Sequence, residues 1–162
     1  MKYVSFCLAV LFSLVLMSGA TKTDEPSTGY YPGERMPNIA LDDSFGKRLE
    51  MDSYKGKKVV INFWAVYDAP SRAMNILLNN YLKSNQDVVF LSVSFDENRT
   101  VFEKTLLWDN IDLNSQFCDA KGSESKLYKE FNLGRGFKNY LIDENGVIMA
   151  MNVSPEKLKS IL

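Results

Sequence analysis

Val59-Val60-Ile61-Asn62-Phe63-Trp64-Ala65-Val66-Tyr67-Asp68-Ala69-Pro70-Ser71-Arg72 is the stretch from which the rest of this chain can be placed. Its first five residues are β-branched, aromatic or amide and read as a buried strand. The run breaks at Asp68-Ala69-Pro70-Ser71. Beyond it Ala73, Ile76, Leu77, Asn80 and Tyr81 recur at helical spacing. A strand that feeds a helix directly puts the connecting turn at the strand's carboxyl end, where α/β folds collect their sites. That turn holds neither cysteine nor histidine.

Composition narrows the chemistry. The chain has 162 residues, 46% apolar and 24% charged, enough for one domain with its own core. A net charge of -1, with no basic run interleaved with aromatics, argues against a nucleic-acid partner. The absence of histidine removes the commonest general base and zinc ligand, and excludes Ser–His and Cys–His nucleophile pairs. No cofactor or metal is expected.

The two cysteines are Cys7 and Cys118. Cys7 lies within Tyr3 to Met17, an apolar run behind Lys2 that reads as an export signal, with Ser18-Gly19-Ala20 supplying small residues for cleavage. Leu16-Met17-Ser18-Gly19 resembles the approach to a lipoprotein cleavage site, but Ala20 stands where a cysteine is needed. The expected location is therefore periplasmic or secreted after cleavage near Ala20, with membrane contact only through the signal. The processed chain keeps one thiol, so no intramolecular disulfide forms within it.

The flanks complete an α/β order. Residues 21–33 are polar and turn-rich and read as a linker. Met36–Leu41 and Lys47–Met51, around a Gly-containing turn, suggest a hairpin. Val88–Val93 is a second strand, parallel to the first through a right-handed crossover. Val101, Phe102, Thr105, Leu106 and Trp108 mark a second helix that Asn98 or Thr100 caps. Asn114–Cys118 reads as a short extended piece. A third helix runs from Ser123 through Phe131, with Gly134 past its end. Tyr140–Asp143 and Val147–Ala150 flank Asn145-Gly146, a type I′ turn pair, and Ser154-Pro155 opens a last helix.

These segments resemble the thioredoxin-like proteins, and among them the exported thiol-disulfide oxidoreductases of the TlpA and ResA type within the redoxin (AhpC/TSA) superfamily. The resemblance is carried by the stretch from Val59 to Asn75, by Gly33–Lys58, by Phe90–Glu97 and by two segments from Asp119 to Leu162. It implies a thioredoxin-like α/β fold over residues 34–162, a central mixed sheet flanked by helices, with an N-terminal β-hairpin extension. It also implies a redox site in which one cysteine attacks as a thiolate at the helix N-terminus and a second resolves the mixed disulfide. The matching positions here are Asp68 and Ser71. The family's cis-proline position falls on Phe137, where a trans peptide is expected.

Two readings of function follow. In the first, the site is degenerate at Asp68, Ser71 and Phe137. The protein is then a redox-inactive binding or accessory module for a protein or peptide partner, with Trp64, Tyr67 and Phe137 as binding residues. In the second, Cys118 is a reactive thiol and the protein is a thiol-dependent oxidoreductase or a peroxidase-like antioxidant. For Asp68 the plain role is helix N-cap. Its carboxylate accepts from Ser71, because Pro70 has no N–H. For Cys118 the plain role is a small buried residue near a strand end.

Overall fold

The computed structural model describes residues 25–43 and 45–162. The expected signal over residues 1–20, Cys7 with it, and residues 21–24 of the expected linker lie outside them. Among the described residues no helix is long and apolar enough to cross a membrane.

A hairpin comes first, β1 (Ala40–Asp42) antiparallel to β2 (Arg48–Glu50). The central strand β3 spans Lys58–Trp64 and leads into α1 (Ala69–Leu82). Then follow β4 (Val88–Ser94), α2 (Arg99–Trp108), β5 (Gln116–Cys118) and α3 (Lys126–Glu130). The chain closes with β6 (Asn139–Ile142), β7 (Ile148–Met151) and α4 (Pro155–Ile161). The main sheet has the order β5-β4-β3-β6-β7. β4 runs parallel to both β3 and β5, whereas β6 is antiparallel to β3 and β7. This is the thioredoxin-like α/β architecture expected, hairpin extension included.

Alternation along β3 builds the two sides of the core. Val59, Ile61 and Phe63 point into one cluster with Leu91, Val93, Phe95, Phe131 and Tyr140, covered by the β1–β2 hairpin and α3. Val60 points to the other side, under Leu78 and Leu82 of α1 and Leu158 of α4. Trp64, on that same side, packs with Phe102 and Leu106 of α2. Every β3 residue from Val59 to Trp64 is buried, which explains an apolar run without polar alternation.

Four local expectations are corrected. The buried face of α1 is Ser71, Asn75, Leu78 and Leu82, while Leu77 is 51% exposed. The face is one residue away from the one the apolar pattern indicates, because buried Asn75 is held by hydrogen bonds. It accepts from Asn62 Nδ2 (3.2 Å) and Ser92 Oγ (2.7 Å) and donates to Gln116 Oε1 (3.2 Å). The third helix is shorter than expected. Ser125 caps it, and Asn132, not Gly134, takes the left-handed conformation at its end (φ 52). The β6–β7 turn is not type I′. Only Gly146 of the Asn-Gly pair has positive φ, and Asp143 anchors the loop by accepting from Asn145 N and Val147 N. Finally, residues 27–33 are not a free linker. Arg35 N donates to Ser27 O, Gly33 N to Ile148 O, and Tyr30 packs edge-on against Phe131.

Candidate functional site at the β3–α1 turn

β3 ends at Trp64, and Ala65–Asp68 turn the chain into α1, with Asp68 N donating to Ala65 O (3.1 Å). Asp68 is the N-cap. Its backbone is extended (φ -102, ψ 95) and its Oδ1 accepts from Ser71 N at 2.9 Å. Pro70 occupies the first turn, where its missing N–H costs nothing. The Ser71 hydroxyl faces inward, accepting from Ala65 N (3.3 Å) and donating to Asp68 O (3.1 Å). The carboxylate thus takes up a helix-end amide that is otherwise open to an anion.

Two further contacts hold the turn. Arg72 meets Asp109, beyond the end of α2, through Nε–Oδ2 (2.8 Å) and Nη2–Oδ1 (2.6 Å). Val66 N donates to Asp96, 3.0 Å from each carboxylate oxygen, and Ser94 Oγ donates to Asp96 Oδ2 at 2.5 Å. Asp96 is buried at 6% exposure. Burial pushes its carboxyl above the ordinary aspartate range, while the bonds from Ser94 and Val66 pull it back. Sequence reasoning missed Asp96. It follows Phe95 directly off β4, and a loop aspartate there carries no signal of pointing back under the neighbouring turn.

Asp68, Ser71 and Phe137 come together around one cavity of ≈ 350 Å³, which Asn62, Pro70 and Asn139 also line. Among the described residues no peptide bond is cis, so Phe137 follows a trans bond, as expected for a residue other than proline. Tyr67 is 68% exposed and pairs with the Phe137 ring at 6.2 Å. Phe137 also stacks on Phe95 (6.3 Å). Partial burial raises the Tyr67 hydroxyl's pKa, and the neighbouring Tyr128 and Asp96 add to the effect.

Two sequence-derived site residues fall elsewhere. Trp64 is fully buried on the opposite side of β3 from Phe63, packed on Phe102 with ring centroids 6.0 Å apart. Strand alternation turns it away from the surface, so it offers nothing to a partner. Cys118, at the end of β5, is also 0% exposed, and its Sγ donates to Asp96 O at 3.3 Å. A reactive thiol needs access and an electropositive setting. This thiol is enclosed by the α2-side cluster of Trp64, Phe102, Leu106 and Ile111. Among the described residues no group of three or more Cys, Asp or Glu converges to hold a metal ion.

The AhpC/TSA family model matches residues 32–151. The chain belongs to the AhpC/TSA family. A thioredoxin-like protein from Parabacteroides distasonis ATCC 8503, solved by crystallography, is similar at 40% identity. The match covers 85% of this chain and 98% of that one, with a TM-score of 0.73. The thioredoxin-like protein YneN of Bacillus subtilis (strain 168) is 27% identical over 128 residues, 77% of this chain and 73% of that protein. The thiol-disulfide oxidoreductase ResA of Bacillus anthracis is 26% identical over 121 residues, 72% of this chain and 66% of ResA. This AhpC/TSA member is thus a relative of the ResA-type thiol-disulfide oxidoreductases, and it carries Asp68 and Ser71 in its strand-to-helix turn.

Proposed function

We propose that the protein is an exported thioredoxin-like binding module, a relative of thiol-disulfide oxidoreductases in which Asp68 and Ser71 stand at the two cysteine positions. One observation carries this reading. The amide at the helix N-terminus that a thiolate would use is taken by the Asp68 carboxylate, and among the described residues no thiol lines the cavity. Such a turn has no group to form or resolve a mixed disulfide. The exposed Tyr67 ring, the Phe137 ring beside it and the adjoining cavity give the same surface to a protein or peptide partner. Export is supported by Lys2, the apolar run Tyr3–Met17 and Ser18-Gly19-Ala20.

Reduction of insulin disulfides tests the reading. The protein and its Cys118→Ser variant are expected to turn over no faster than dithiothreitol alone. Sustained turnover that survives Cys118→Ser refutes it. The double substitution Asp68→Cys with Ser71→Cys is expected to introduce turnover on the same scaffold. The reading of Cys118 as an oxidoreductase or peroxidase thiol finds no support in a side chain with no exposed surface.

A further inference from the structure

A second opening, of ≈ 440 Å³, has Tyr67 in its wall. Its walls are Val66, Tyr67, Phe95 and Val101, and its polar edge carries Asp96 and Glu97. Among the described residues no lysine or arginine lines it. Tyr67 and Val101, 68% and 43% exposed, are the open part of its wall, whereas Phe95 is buried. Glu97 is exposed and makes no ion pair with another described residue. Its side chain lies across Gly122 (φ +53), where a Cβ would stand 2.7 Å from Oε1. The glycine therefore leaves the room that the carboxylate occupies. The Tyr67 ring is held as a wall by its contact with the Phe137 ring, 6.2 Å away.

An exposed tyrosine wall beside a carboxylate that, among the described residues, has no ion-pair partner and no cation next to it is complementary to a planar cation. The larger cavity at the opposite end of β3 differs. There Lys55 and Arg35 are already paired with Asp52 (3.0 Å) and Glu25 (3.1 Å). We infer that the opening beside Tyr67 receives the guanidinium of an arginine in an extended segment of a partner protein, stacked on Tyr67 and paired with Glu97. A peptide suits the surface because this opening adjoins the Asp68 cavity: Tyr67 lines the one, Phe137 lines the other, and their rings are 6.2 Å apart. Arginine suits the site better than lysine, since a flat guanidinium stacks on a ring while presenting a fork to a carboxylate. Buried Asp96 adds negative charge from below, its own carboxyl held by Val66 and Ser94. This inference rests on the binding-module reading.

Fluorescence anisotropy on the purified protein tests it, with labelled extended nonapeptides that differ only in a central arginine or citrulline. The arginine peptide is expected to bind about tenfold more tightly. Glu97→Gln should bring it down to the citrulline level and leave the citrulline peptide unchanged. Amide shifts in a nitrogen-15 spectrum should centre on Tyr67, Phe95 and Val101. Equal affinities, a preference that survives Glu97→Gln, or no binding of either peptide up to about 1 mM overturns the inference. The insulin assay separates the two ideas. Disulfide turnover removes the binding-module reading itself, whereas a lost arginine preference with a silent insulin assay removes only the arginine site.

Discussion

Replacing Asp68 with alanine asks whether its carboxylate serves the fold or a ligand. In the structure Oδ1 accepts from Ser71 N at 2.9 Å at the start of a fourteen-residue helix. Loss of an N-cap acceptor costs about 1 kcal/mol, and loss of a negative charge at the helix's positive end adds about 0.3–1 kcal/mol. The rest of the turn survives the change. Ser71 Oγ keeps its bonds to Ala65 N and Asp68 O, and Arg72 keeps Asp109. Asp68→Ala should therefore destabilise by ~1–2 kcal/mol. Asp68→Asn, which keeps an acceptor and loses the charge, should cost about 0.3–1 kcal/mol. Urea denaturation followed by circular dichroism measures both, and the alanine variant should melt lower by roughly 2–8 °C for a domain of this size. Residues kept for binding at the expense of stability behave in the opposite way, since their removal stabilises. An alanine variant as stable as the parent, or more so, would refute the cap as the reason for Asp68.

Cys118, buried with its thiol on Asp96 O, should react with a thiol reagent only through opening of the native state. Labelling of the native protein should run at least about a hundredfold slower than in denaturant, followed by absorbance. Lys47 Nζ donates to Leu113 O (2.8 Å), Asn114 O (3.2 Å) and Gln116 O (2.8 Å), and sits 4.3 Å from the Phe117 ring centroid. Lys47→Met, which keeps the stem and removes the charge, should destabilise by about 1–3 kcal/mol in urea melts by undocking the β1–β2 hairpin from β5. Asp96 has a native pKa raised by burial, so between the unfolded and native values the folded state binds the extra proton. That contribution to stability is complete below the unfolded value and disappears as pH rises through the native one. Measured at about pH 4 and about pH 7, the stability of wild type relative to Asp96→Asn should shift in favour of wild type at the lower pH.

The fold was legible because its central strands are unambiguous. Val59–Phe63 is buried on both faces, and Val88–Val93 is buried apart from half-buried Val89 and Phe90; a run of β-branched and aromatic residues signals such strands directly. Ser125, Asn98 and Ser154 each accept from the amide three residues on, a local bond that a short motif encodes. What was not legible depends on partners distant in sequence. Asn75 is inside because Asn62, Ser92 and Gln116 meet it there, and an apolar pattern ranks it as an outside residue. The β6–β7 turn departs from type I′ because Asp143 captures two amides of its own loop. At the candidate site, Asp68, Ser71 and Phe137 could be named from the resemblance and Asp68's cap from Pro70. Trp64 could not be assigned to its side until the strand's register was fixed, and Asp96 had no local motif at all.

The turn keeps its shape without thiols because nothing that shapes it is a thiol. Val66 N is fixed by Asp96 from the loop after β4, Arg72 by Asp109 from the end of α2, and Ala65 N by Ser71 from within α1. Two separate elements, the loop after β4 and the end of α2, thus converge on a stretch of eight residues, Ala65 to Arg72, through a backbone amide and one bidentate ion pair, and Ser71 closes it from within. Cysteine chemistry is an addition to such a frame, supplied by side chains at its rim. Asp68 and Ser71 add hydrogen bonds of their own at that rim, from Ser71 N to the Asp68 carboxylate and from Ser71 Oγ to Asp68 O. In the binding-module function proposed above, a turn held by these bonds beside exposed Tyr67 and the Phe137 ring lowers the entropy lost when a partner segment docks. On that proposal, the hydrogen bonds that occupy the place of a thiolate also preorganise the surface around it.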